Sequence, residues 1–308
     1  MKAFVNNRAG VKRVLRILLP AVLLFFVGRF LFHDTDKLHR VVTGVSPGWA
    51  AAGFCFYFLG VSLIGINWRW LLRILGADCP MSAALKSYFY SQLAKYVPGR
   101  VWGATGRIVL LRGASIPEGT SALGIALEST VLMVSASLVG LLALGSYGRL
   151  PVEIRALAVT APSILLLLHP AILHRVVRTM ARRFPKYILD PGHLPAFRDM
   201  VLLAVRYCGV WIFQGLGFWC ALRSLAPLNP VTVPSVIGGN ALAWLAGFVV
   251  VFTPAGLGVR ELVLTRLNTG RIGTGPAALA AFIARLMVIL SELLGAFLIW
   301  LHDRRPRA

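Results

Sequence analysis

Lys95, Arg100, Arg107, Arg260, Glu261 and Arg285 are charged side chains in stretches otherwise apolar enough to lie in a bilayer, as are Glu128 and Glu292. Several of them adjoin two breaks built from proline and glycine. The first reads Lys95-Tyr96-Val97-Pro98-Gly99-Arg100, and the second reads Thr253-Pro254-Ala255-Gly256-Leu257-Gly258-Val259-Arg260-Glu261. The chemistry this combination suits is anion recognition. Arginine engages a phosphate bidentately, and a helix restarting after Gly99 adds N–H donors and a positive dipole end. Hydrocarbon offers the backbone no water, so a helix broken at membrane depth must line a cavity or be buried in protein. An ionisable residue at that depth is costly, which makes a functional site its first reading.

Lys95, Arg100, Arg107 and Arg260 are the expected substrate-binding cations. Arg107 has a rival reading, as an interfacial residue alongside Arg112. Pro98, Gly99, Pro254, Gly256 and Gly258 are the expected hinges, the glycines because they reach backbone conformations closed to other residues. Glu128, Glu261, Arg285 and Glu292 form the expected gating or coupling set. Glu261 reads equally as a helix N-terminal cap and as a functional carboxylate. Ser121, Gly124, Glu128 and Ser135 share one small, polar stripe, which turns Glu128 inward. Aligning the two breaks carries position 128 to 284 (128 + 156), beside Arg285, so opposite charges are expected to meet near a twofold axis. A gate and a structural ion pair are both open for them.

Composition sets the class. With 57% hydrophobic and 14% charged residues, the chain is an integral membrane protein. The formal charge of +21 does not indicate nucleic acid, because Lys and Arg cluster at segment ends, where they set topology and attract anionic headgroups. Spanning candidates are Val14–Phe32, Trp49–Leu71, Gly119–Gly145, Arg155–Pro170, Val201–Leu222 and Pro276–Leu301. Met81–Leu111 and Val233–Leu267 contain the breaks, and their halves of about 13 to 19 residues are mostly short of the ~20 needed to cross. Each reads as a re-entrant helical hairpin.

The positive-inside rule tests this count. A cytoplasmic N-terminus carries Lys2, Arg8, Lys12, Arg13 and Arg16. Six spans and two hairpins then bring Arg175, Arg178, Arg182, Arg183, Lys186 and Arg198 to the same side, with the tail arginines 304, 305 and 307. The first apolar run is expected to be a retained helix, since no small-x-small cleavage site follows it. Residues 49–145 form one repeat unit, 201–301 the other, and 155–170 the linking helix that reverses their orientation. The fold expectation is a single all-α membrane domain over 1–308, with about six transmembrane helices plus two re-entrant helical hairpins in an inverted-topology repeat.

Other chemistries find little support. No G-x-S-x-G, Walker or H-E-x-x-H pattern occurs, and the six histidines have no metal-ligand spacing. Cys55, Cys79, Cys208 and Cys220 lack C-x-x-C spacing and read as packing residues. Asn67-Trp68-Arg69-Trp70 reads as an aromatic belt with a snorkelling arginine. No metal, cofactor or enzymatic activity is expected.

Lys95-Tyr96-Val97-Pro98-Gly99-Arg100-Val101-Trp102-Gly103 resembles the K-x-x-P-G-x-x-W-G segment of the lysylphosphatidylglycerol synthase/flippase transmembrane family. Pro254-Ala255-Gly256-Leu257-Gly258-Val259-Arg260-Glu261 resembles its P-x-G-L-G-x-R-E signature, and Glu128 and Arg285 follow the two motifs at the family's distances. The resemblance runs from about Trp49 to Leu301. It implies a lipid-translocating domain of the bacterial inner membrane, moving an anionic or aminoacylated phospholipid between leaflets. The best-known members add a C-terminal aminoacyl-transferase domain. None lies in these 308 residues, so a stand-alone form without lipid synthesis is expected. Rival expectations are transport of a polyisoprenyl-phosphate or glycolipid envelope intermediate, and a non-transporting partner of an envelope-lipid synthase. The expected partners are an anionic membrane lipid and a separately encoded lipid-modifying enzyme; the sequence specifies no oligomeric state.

Overall fold

The computed structural model describes residues 44–95, 101–144, 195–250, 256 and 258–304, with 152 and 175 as isolated positions. The expectations for Val14–Phe32, Arg155–Pro170, Pro98, Gly99, Arg100 and Pro254 lie outside the described residues. Eight α-helices make up the described fold, and no strand occurs among the described residues. They are α1 (Pro47–Ile74), α2 (Met81–Ala94), α3 (Val101–Arg112), α4 (Glu118–Leu144), α5 (Phe197–Arg223), α6 (Val233–Val249), α7 (Val259–Ile272) and α8 (Thr274–Asp303). A 3₁₀ turn, Pro230–Thr232, leads directly into α6.

Among the described residues, five helical segments are long and apolar enough to cross a membrane: α1, α4, α5, α8 and Pro230–Val249. Four coincide with the sequence expectation. The fifth is the first arm of the second broken stretch; the 3₁₀ turn lengthens it to 20 residues, the usual crossing length. With α2 at 14, α3 at 12 and α7 at 14 residues, the remaining arms stay well short of that length.

Local sequence explains where the helices stop. Helix α1 begins at Pro47, whose fixed φ and missing N–H suit a first turn. It ends in a Schellman motif: Gly76 adopts φ 75°, its N–H reaches Arg73 O at 3.0 Å, and Ala77 N–H reaches Leu72 O at 2.9 Å. Gly273, at φ 84°, closes α7 and opens α8 as a one-residue joint.

At the centre, α1 crosses α5 through small residues. A Cβ on Gly53 would stand 3.0 Å from Gly217 O, and one on Gly217 would stand 2.7 Å from the Tyr57 ring. Glycine on both sides lets the backbones touch, which is how helices associate where apolar lipid supplies no hydrophobic drive. Around this crossing the packing has a regular pattern. Exchanging α1 with α5, α2 with α6, α3 with α7 and α4 with α8 turns each substantial helix pair into another pair that is also packed. Thus α4 lies on α6 as α2 lies on α8, and α3 packs on α2 and α4 as α7 packs on α6 and α8. Two large apolar clusters fill the bundle, one around Trp68, Leu72 and Leu111 that takes in Met200 and Leu203 of α5, the other around Phe218, Val236 and Leu264 that takes in Tyr57 of α1. The outward faces of α5 and α8 expose Val205, Ile212, Leu290, Leu293 and Phe297, as suits a multi-pass membrane protein.

The crossing predicts a contrast within one helix. Gly217→Leu should force α1 and α5 apart and cost about 1–3 kcal/mol of stability by overpacking. Gly209→Ala, where a Cβ meets nothing within 4 Å, should be neutral or stabilising by up to about 1 kcal/mol. Thermal unfolding of the purified protein in detergent checks both.

Candidate functional site

Arg107 on α3 and Glu128 on α4 form a buried ion pair, with 5% and 4% of their surfaces exposed. Two charges withdrawn from water are tolerable only when paired and fully hydrogen-bonded. The surroundings meet that condition. Arg107 Nε donates to Ser91 Oγ at 3.2 Å, and the Tyr207 hydroxyl donates to the other Glu128 oxygen at 2.9 Å. The guanidinium also lies over Trp68, 4.5 Å from the ring centroid, and near Tyr88 at 5.2 Å. Trp68 is itself held by an indole N–H bond to Ser87 Oγ at 3.1 Å. This network ties α1, α2, α3, α4 and α5 together.

Glu128 is also on the wall of a central cavity of about 280 Å³. Lys95, Arg260, Arg285 and Glu292 share that wall, with Gln92 and Gln214 as neutral polar groups. Tyr88, Trp211, Trp244 and Phe248 give it an aromatic side, in which Trp211 and Trp244 lie 4.8 Å apart and Phe248 stacks on Trp244 at 5.1 Å. Lys95 pairs with Glu292 and also donates to Gln92 Oε1 at 3.0 Å. Arg285 stands 3.9 Å from Glu261, whose other oxygen accepts the Gly258 N–H at 2.8 Å. Arg260, 7% exposed, has a different environment. Its guanidinium donates to Asn240 Oδ1 at 3.2 Å, and no carboxylate among the described residues lies within ion-pair distance of it.

The wall repeats itself along the chain. Val61 and Ile64 on α1 correspond to Trp211 and Gln214 on α5 (211 − 61 and 214 − 64 both give 150). Tyr88 and Gln92 on α2 correspond to Trp244 and Phe248 on α6 (244 − 88 and 248 − 92 both give 156). Leu132 and Val288 keep that second interval (288 − 132) on α4 and α8. Five pairs of wall residues thus keep one of two intervals, on helices that the packing pattern exchanges.

Residues 13–295 match the family described as the lysylphosphatidylglycerol synthase TM region. The chain belongs to that family. The match takes in α1 to α7 and most of α8, so the cavity is a feature of this lysylphosphatidylglycerol synthase TM region as a whole. Membership points to a role connected with membrane lipid. None of the curated proteins compared with the chain matches it. Among the described residues no cluster of His, Cys, Asp and Glu is arranged to hold a metal ion.

The structure brings Lys95, Glu128, Gly256, Arg260, Arg285 and Glu292 to one cavity and sets Arg107 behind Glu128. Arg107 is thus buried inside the bundle rather than on its surface. The expected contact between Glu128 and Arg285 is not formed, because the Glu128 carboxylate is divided between Arg107 and Tyr207. The alignment matched their heights along the bundle, while a nearer cation on the adjacent helix captured the carboxylate. Glu261 does cap the start of α7, and Gly256 and Gly258 have φ 68° and 85°, in the left-handed region that favours glycine. Sequence reasoning missed Tyr57, Tyr207 and Asn240. The two tyrosines lie 150 residues apart (207 − 57), the interval of the α1 and α5 wall, and that interval was the available signal.

The Arg107–Glu128 pair predicts non-additive mutational effects. Glu128→Leu alone should cost about 3–5 kcal/mol by leaving Arg107 buried without its counter-charge. Adding Arg107→Met should recover most of that loss. A thermal-unfolding double-mutant cycle measures the coupling.

Proposed function

We propose that this protein moves an anionic phospholipid between leaflets of a bacterial inner membrane, with both termini cytoplasmic. The observation that carries the reading is Arg260, a buried cation on the cavity wall with only neutral partners among the described residues. A phosphate group would supply the missing counter-charge through charge-assisted hydrogen bonds. Family membership points the same way, toward membrane lipid. The cavity takes the headgroup while the acyl chains stay in the bilayer.

On this reading α1–α4 and α5–α8 are inverted repeat units, a reading supported by the exchangeable packing and the paired wall positions. Helices α2 and α3, about 21 and 18 Å long at 1.5 Å per residue, form a re-entrant hairpin in a hydrocarbon core of about 30 Å. Helices α6 and α7 form its counterpart. Rocking of the two units about the α1–α5 crossing presents the cavity to each leaflet in turn. Lys95, at the C-cap of α2, and Glu292 on α8 break and remake their pair during that motion. The protein acts without catalysing a covalent step, and a separately encoded enzyme supplies the lipid.

Purified protein in liposomes, assayed for leaflet exchange of fluorescent phosphatidylglycerol, tests the proposal. Arg260→Gln should slow exchange by at least about tenfold, the worth of a charge-assisted hydrogen bond, while thermal stability is kept or raised. Absence of exchange for phosphatidylglycerol, aminoacylated phospholipid and polyisoprenyl phosphate would overturn transport in favour of a non-transporting role beside a lipid synthase.

A further inference from the structure

The two halves treat equivalent positions in opposite ways. In the first, Arg107, Tyr207 and Ser91 surround a carboxylate of the chain itself, that of Glu128. In the second, the tyrosine equivalent to Tyr207 is Tyr57, 150 residues earlier (207 − 57), at the interval of the α1 and α5 wall. Arg260 falls within one turn of the position equivalent to Arg107, because the interval of 156 carries it to Ala104. The position equivalent to Glu128 is Ala284 (128 + 156), and the charged residue beside it is Arg285, a cation on the cavity wall. The second half thus repeats the arginine and the tyrosine but has a cation near the place of the carboxylate.

Its polar atoms have the matching deficit. The Tyr57 hydroxyl faces the Arg260 guanidinium, and among the described residues nothing accepts its proton. Asn240 accepts from Arg260 through Oδ1 while its Nδ2 has no acceptor. Both side chains are fully buried. Buried donors left unsatisfied cost stability, and native proteins seldom keep two together. What they lack in common is an acceptor, and what Arg260 lacks is a negative charge.

We infer that Arg260 and Arg285 on the cavity wall, with Tyr57 and Asn240 buried beside Arg260, form a subsite for a phosphate monoanion, which takes the part that the Glu128 carboxylate plays for Arg107 and Tyr207. The inference rests on the lipid-transport reading for its ligand source, and it narrows that reading. Lys95 is matched by Glu292, Arg107 by Glu128 and Arg285 by Glu261, which leaves one uncompensated positive charge, Arg260, among these groups. A phosphodiester headgroup with no further charge balances it. A headgroup carrying an added lysyl group brings a net positive charge that the wall does not compensate. The cavity of about 280 Å³ lies at the lower end of small-ligand sites and suits a headgroup rather than a whole lipid.

The test is binding to the full chain in nanodiscs, with dioctanoyl phosphatidylglycerol, its lysyl ester and inorganic phosphate as probes. Asn240→Asp converts a residue already bonded to Arg260 into a fixed carboxylate. It should raise the unfolding temperature and weaken phosphatidylglycerol binding by at least about tenfold. Tyr57→Phe should weaken binding by about tenfold without changing the elution profile, and it decides the matter if the Asp variant does not fold. The lysyl ester should bind more weakly than phosphatidylglycerol. Inorganic phosphate binding as tightly as phosphatidylglycerol would support the subsite with the free anion as its ligand. Unchanged phosphatidylglycerol affinity in Tyr57→Phe, or in a folded Asn240→Asp protein, would overturn the subsite. Leaflet exchange separates the two readings: a wild-type protein that binds but moves no lipid sinks transport alone, whereas Asn240→Asp exchanging lipid at the wild-type rate sinks the subsite alone.

Discussion

A charge held inside a bundle of apolar helices has lost its water, and something nearby must replace that solvation. The described core of this protein is arranged around that requirement. Arg107 and Glu128 satisfy it with each other, with Tyr207 and Ser91, and with the faces of Trp68 and Tyr88. Lys95 and Glu292 satisfy it across α2 and α8, two helices far apart in sequence that the pair draws together. Among the described residues, Arg260 meets it only with neutral partners. The helices can approach closely enough for these contacts because Gly53 and Gly217 let α1 and α5 touch backbone to side chain.

Much of this was legible in the chain. Apolar runs of crossing length gave α1, α4, α5 and α8, because burial in lipid leaves a composition signal that needs no tertiary information. Of the eight charged residues singled out by their apolar surroundings, five line one cavity, since an intramembrane charge has few places to go other than a shared polar interior. Partner choice was not legible. Glu128 was matched with Arg285 by register, yet register fixes height and says nothing of which neighbouring helix presents a cation. Tyr57 and Asn240 escaped notice because a single tyrosine or asparagine in an apolar helix looks like packing. Their significance appears only when Arg260 is seen beside them.

Two halves with the same pattern of packing differ in what they hold. Where the first half has Gln92, the second has Phe248, and where the first has Ile64, the second has Gln214. Glu128 on α4 has Arg285 near the corresponding place on α8. The halves share a packing frame, and differences at a few wall positions give it a direction. A wholly symmetric wall would present identical surroundings to both ends of a ligand. This one distinguishes them.

Glu261 divides its two oxygens between separate tasks. One fixes the first turn of α7 through the Gly258 N–H, and the other faces Arg285 on α8 across 3.9 Å. The two helices meet at Gly273, a single residue. The carboxylate and the glycine therefore brace opposite ends of a narrow wedge. A change at Arg285 would therefore be felt at the first turn of α7 as well as on the cavity wall, because one carboxylate serves both. The stiffness of a helix start and the charge of a cavity are set here by the same side chain.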